Sequence, residues 1–214
     1  MPRPRAIMGV RIRSERYTMA KEPSAAEREA AAAAAALIAG SRERWSKALA
    51  AVEASFGIRP NEVLVASEIR RWCELFDPKA HRALLRRKRL AAAAVMEALA
   101  DWNPVLTGHV LSGAATADTA VTIAVRTDDE KGVELTLLSL GVDFDVLDAA
   151  GEGRQASVSL LTECRKENVI ISIAPSFPSG KTLPPDEWQH PLEARSRIAL
   201  PALRDLLEVY PAED

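Results

Sequence analysis

PVLTGHVLSGAATADTAVTIAVR, residues Pro104 to Arg126, is where the period of the sequence changes. Up to Trp102-Asn103 the apolar residues recur at helical spacing, and Pro104 cannot continue that pattern. Val105 to Leu111 reads as a strand and Ser112-Gly113-Ala114 as a tight turn. Ala120 to Val125 reads as a second strand, rich in β-branched residues. The link between them is too short for a parallel crossover, so the two strands are expected to be antiparallel neighbours.

On the N-terminal side the chain reads as helix. Residues 1–23 carry Pro2, Pro4 and five arginines from Arg3 to Arg16, a composition expected to be disordered and basic. Met1, Met8 and Met19 are alternative starts. Ser24-Ala25-Ala26-Glu27 is a capping box that opens an alanine-rich helix running to Gly40, which either breaks or weakens it. A second piece, Ser41 to Phe56, should close on Gly57 as a left-handed cap. Ile69, Trp72, Cys73 and Phe76 then fall on one helical face, ended by Asp77-Pro78. The next helix, Lys79 to Trp102, carries an apolar stripe of Leu85, Ala92, Met96 and Leu99, with Leu84 and Val95 at its edge.

On the C-terminal side the pattern is mixed. Asp128 to Leu140 predicts a helix with acids in its first turn, Leu135, Leu138 and Val133 inward, and a Gly141 cap. Val142 to Leu147, Ala156 to Leu161 and Val169 to Ile173 read as strands. Gly151-Glu152-Gly153 is a loop, and Pro175 to Gln189 a long connection. A last helix begins near Pro201, a suitable first-turn proline. The fold class expected is α+β: a helical region, residues 24–102, packed on a small mixed β-sheet domain, residues 103–214.

Composition narrows the function classes. The 214 residues are 48% hydrophobic, enough for a core. The net charge of −2 hides a split. Residues 1–102 hold 19 Lys and Arg against 12 Asp and Glu, and the remainder hold 9 against 18. Such halves either solubilise the surface, meet an external anion, or meet each other. Two cysteines, Cys73 and Cys164, make no disulfide framework, and three histidines lack ligand spacing, so a structural zinc site is not expected. No run resembles a membrane span or a secretion signal, and a cytoplasmic, bacterial protein is expected.

Three further motifs invite chemistry. Asp143-Phe144-Asp145 puts two carboxylates on one side of a strand, where they could share a metal, or could simply mark the wet face of an edge strand. Arg82, Arg86 and Arg89 share a helix face with Arg87 and Lys88 nearby, a solvated face or a polyanion-binding one for nucleotide or nucleic acid. Gly180-Lys181-Thr182 matches the end of a P-loop. Pro175 stands where that motif needs its first glycine, and Pro184-Pro185 block the helix that should follow, so the match is chance.

Residues 30–210 resemble an uncharacterised proteobacterial family of nucleotidyltransferase-like build, within the DNA polymerase beta superfamily. The resemblance rests on Leu75-Phe76, the arginine-rich helix with Met96 and Leu99, and Pro104 to Gly108. It continues through Val110 to Ala115, Val133-Glu134, Gly141-Val142-Asp143 and the Ile198 to Leu207 helix. It implies a small turn that cradles phosphate, which falls on Ser112, Gly113 and Ala114. It also implies an Asp-x-Asp pair on the second strand, and those positions are Ala120 and Thr122. The third acid would fall near Ile171 or Ser172. A methyl group and a hydroxyl cannot hold magnesium, which takes hard charged oxygens. The implied function is therefore a catalytically inactive domain that binds a nucleotide, a nucleic acid or a protein. The alternatives are an active magnesium-dependent nucleotidyltransferase using Asp143 and Asp145, or a structural interaction module.

Overall fold

The computed structural model describes residues 23–150, 157–177 and 185–210, with side chains omitted for 148–150. The basic N-terminus, the Gly151 to Gly153 loop, Ala156 and Gly180-Lys181-Thr182 lie outside the described residues. Among the described residues, seven α-helices and one six-stranded mixed sheet make an α+β fold. No helix among the described residues is long and apolar enough to cross a membrane.

Each helix forms for a local reason. The Ser24 hydroxyl accepts from the Glu27 amide at 3.2 Å while the Glu27 carboxylate accepts from the Ser24 amide at 2.7 Å, closing the capping box that starts α1 (Ala25–Ala35). A π-helical turn, Ala36–Gly40, ends it, and α2 (Trp45–Phe56) restarts after a short break, closed by Gly57 at φ 66°. In α3 (Glu62–Phe76), Val65, Ala66 and Ile69 are buried and Trp72 and Cys73 half-buried. Phe76, expected on the inner face, is 68% exposed, with its ring against Trp72. Asp77 both ends α3 and caps α4 (Pro78–Ala98), accepting from the Ala80 amide with Pro78 in the first turn. The stripe Leu85, Ala92, Met96 and Leu99 is buried as its spacing predicts.

The decisive stretch folds partly as expected. Strand β1 (Val105–Thr107) pairs antiparallel with β2 (Val121–Arg126), Leu106 opposite Ile123. The strand stops at Thr107, however, and Gly108–Ser112 is a short helix, α5. The correction has a simple cause. Val110 and Leu111 are both buried, which a helical turn allows and an alternating strand forbids. A second correction concerns α6 (Glu130–Ser139): Val133 and Leu137 are buried, while Leu135 and Leu138 face solvent at 63% and 57% exposure.

Strands β3 (Asp145–Ala150), β4 (Ser157–Cys164), β5 (Glu167–Ala174) and β6 (Ile198–Ala199) complete the sheet in the order β3-β4-β5-β2-β1-β6. Only β2 and β5 run parallel. One row of paired residues, Ile198, Leu106, Ile123, Ile171 and Leu160, crosses five strands and is buried throughout. It packs on α4 and on α7 (Leu200–Val209). The opposite face carries Thr107, Thr122, Ile170, Leu161 and, at the β3 edge, Asp145.

A second cluster joins α1, α2 and α3 through Ala30, Ala31 and Ala34, Leu49 and Val52, and Val65 and Ile69. The small alanines let helix backbones approach closely. Ala114 belongs to this cluster and Ala115 to the sheet's core, so two adjacent residues join the two cores.

Candidate functional site

The site grows from the C-terminal end of α5. A helix end leaves its last carbonyls without amide partners and carries partial negative charge. Here every one meets a side-chain donor. Arg89 donates from Nε to the Val110 carbonyl at 3.2 Å and from Nη2 to that of Leu111 at 3.3 Å. Arg70 Nη1 donates to the Ser112 carbonyl at 3.0 Å, and Gln189 Nε2 to the same oxygen at 3.2 Å. His81 Nε2 lies 2.9 Å from the Gly113 carbonyl, which fixes that nitrogen as the protonated one. The Gly113 and Ala114 amides both bond back to the His109 carbonyl, with Gly113 at φ 78°. A Cβ on Gly113 would stand 3.4 Å from both Arg70 and Glu193, so the turn is confined by its neighbours as well as by its backbone.

The cations are balanced by carboxylates from residues 186–193. Arg89 pairs with Glu193, both at least 97% buried as side chains, and the second Glu193 oxygen accepts from the His190 amide at 2.8 Å. Arg70 pairs with Asp186, which also accepts from Ser67 at 2.8 Å. Burial pushes the Asp186 carboxyl up, but Arg70, Ser67 and the Trp188 amide outweigh it and hold it below its ordinary value.

These contacts wall a cleft of about 510 Å³ lined by Arg82, His81, Trp188, His190 and Tyr210 among others, a volume in the range of small-molecule sites. Burial, opposed by the Gly113 carbonyl and aided by Arg89, pulls His81 below its ordinary value, so the ring is neutral at pH 7. Burial and Glu193 push the Tyr210 hydroxyl up, and it stays protonated. Arg70, Arg82 and Arg89 face Glu74, Glu187 and Glu193 across the lining, so its formal charges cancel.

The structure brings together Gly113, Arg82 and Arg89, three of the residues singled out in the sequence, around this one cleft. Ser112 lines an adjoining hollow, and Ala114 is fully buried between the helices. The turn presents carbonyl oxygens to cations, whereas a phosphate cradle presents amide hydrogens. Arg82 bonds Glu74 at 2.5 Å, and Arg86 donates to the Leu207 and Tyr210 carbonyls at 2.9 and 2.6 Å, at the end of α7. Lys88, 1% exposed, pairs with Glu167 and donates to the Ala117 and Thr119 carbonyls. The basic cluster of α4 is thus largely turned inward, where it holds carbonyl-rich chain ends, and a polyanion would compete with those partners.

Asp143 and Asp145 lie elsewhere. Both are exposed at the β3 edge, beside a shallow depression of about 230 Å³ with Glu163 and Asn168. Thr122 stands three strands away, about 14 Å at the usual strand spacing. The Asp143 and Asp145 pair is thus separated from Thr122 by strands β4 and β5. Among the described residues no three His, Cys, Asp or Glu side chains are grouped to hold a metal ion, so the donor set does not fit a magnesium pair. Cys73 is also quiet: burial, with Asp77 and Glu74, pushes its thiol up to about 11.

Sequence reading missed Arg70, His81, Asp186, Trp188 and Glu193. Arg70 sits in an apolar helical pattern, and the acids sit within or just after a Pro- and Ser-rich connection that carries no periodic signal. The one available sign was the opposite charge of the two halves. Comparison with known proteins places the chain in no family: no family model, no curated protein and no solved structure matches it.

Proposed function

We propose that this protein is a catalytically silent domain of nucleotidyltransferase-like build that binds a nucleotide-sized, ring-bearing ligand in the cleft beside Gly113. The observation that carries the reading is the cleft itself: about 510 Å³, flanked by Trp188, Tyr210 and His81, with its three arginines already paired. Such a lining rewards stacking and neutral hydrogen bonds more than a long polyanion. Arg82, 44% exposed as a side chain, is the cation best placed to take one phosphate. That favours a mononucleotide over nucleic acid. Support for silence comes from β2, where Thr122 carries no charge and the Asp143 and Asp145 pair stands at the far edge of the sheet.

The test is equilibrium binding of nucleoside mono- and triphosphates, with and without magnesium. Binding should be saturable, independent of the metal, and weakened about tenfold by Trp188→Ala, since base stacking on an aromatic ring contributes roughly 1–3 kcal/mol. Arg82→Ala should weaken a nucleotide more than its nucleoside. Absence of saturable binding by any nucleotide, or equal binding by the Trp188→Ala variant, would refute the assignment.

A further inference from the structure

A second hollow, about 400 Å³, lies on the other side of the Arg70, Gln189 and Glu193 wall. Most of its polar lining is spent. Arg70, Ser67 and Asp186 bond one another, and Glu193 bonds Arg89. Three ionisable groups remain uncommitted among the described residues. Arg195 and Glu62 are exposed, and neither has an ion-pair partner among the described residues. His109 is half-buried, its ring stacked on Trp45 at 3.8 Å and 13°, and neither ring nitrogen has a hydrogen bond among the described residues. Burial lowers the His109 pKa, against the pull of Glu62, so the ring is neutral and offers one donor and one acceptor. Val63, Leu64 and Ala66 supply an apolar wall.

We propose that this hollow is a binding site for a small zwitterion, an α-amino acid or a compound of the same charge pattern. The uncommitted charges are one cation and one anion, so their complement carries one of each. A lone anion would satisfy Arg195 but face Glu62, and a lone cation would meet the reverse. The neutral imidazole of the same lining can bond either end of the ligand, and the apolar wall takes its side chain. The site stands on its own residues and does not rest on the nucleotide reading of the larger cleft.

The experiment uses the full chain at pH 7.5 and the imidazole proton–nitrogen correlation spectrum, which holds only three histidines. Leucine, N-acetylleucine and leucinamide are titrated as zwitterion, anion and cation. Leucine should shift the His109 signals saturably at millimolar concentration. Each single-charge analogue should bind roughly 1.5- to fivefold more weakly, the range of an exposed ion pair. Arg195→Ala should erase the advantage over leucinamide, and Glu62→Gln the advantage over N-acetylleucine. Both positions are exposed, and an unchanged melting curve certifies the fold of each variant. No saturable shift with leucine would overturn the proposal. So would equal affinity for all three probes, or tighter binding of N-acetylleucine than of leucine.

Discussion

At Arg89 a full positive charge sits among apolar side chains, held by Glu193 and by two helix-end carbonyls. A buried pair of this kind adds little net stability over a well-packed apolar pair, but breaking it strands a charge. Arg89→Ala should therefore cost about 3–5 kcal/mol in denaturant unfolding, while Arg89→Met combined with Glu193→Leu should recover most of that loss. Arg82→Ala, on an exposed pair, should stay within about 0.5 kcal/mol of the parent. Titration carries a second prediction at this scale. His81 and His109 both have folded pKa values lowered by burial, so the unfolded chain binds more protons. Their contribution is present above the unfolded value, near pH 6.5, and is lost as pH falls toward the folded values. Burial pushes Glu167 up, but Lys88 and Arg87 outweigh it and leave it lowered, like Asp186. Those two contributions are lost only below about pH 4.5. Calorimetric melting should thus decline in two acid steps, with the upper one flattened by replacing both histidines with glutamine. None of these pairings was legible in the sequence, because the partners lie 79 to 116 residues apart.

At the scale of elements, legibility followed the length and strength of local signals. The capping box, the Gly57 cap and the Asp77-Pro78 junction each act within a few residues, and all three appear where their chemistry puts them. The pairing of β1 with β2 followed from β-branched residues and a short link. Helix α5 was hidden because five residues, the first of them a glycine, show no period, and burial of both Val110 and Leu111 reveals it. The phase of α6 was misread for a related reason. Its ten residues offer two apolar stripes, Leu135 with Leu138 and Val133 with Leu137, and only the sheet selects the second. Leu137→Ala should therefore cost about 2–5 kcal/mol, and Leu138→Ala should stay within about 0.5 kcal/mol. Equal effects from the two substitutions would show that the helix sits in the other phase.

At the scale of the whole molecule, the opposite charges of the two halves meet inside it. Arg70 with Asp186, Arg87 and Lys88 with Glu167, and Arg89 with Glu193 each join the basic half to the acidic one. These bonds hold the carbonyl ends of α5 and, through Arg86, of α7, and they shape the walls of both hollows. If, as proposed, the domain binds nucleotide without turnover, the decisive measurement is pyrophosphate release from nucleoside triphosphates with magnesium or manganese. The expected result is no release above a protein-free control from a sample that binds nucleotide. Release that disappears in Asp143→Asn or Asp145→Asn would contradict the account and make the β3 edge an active site.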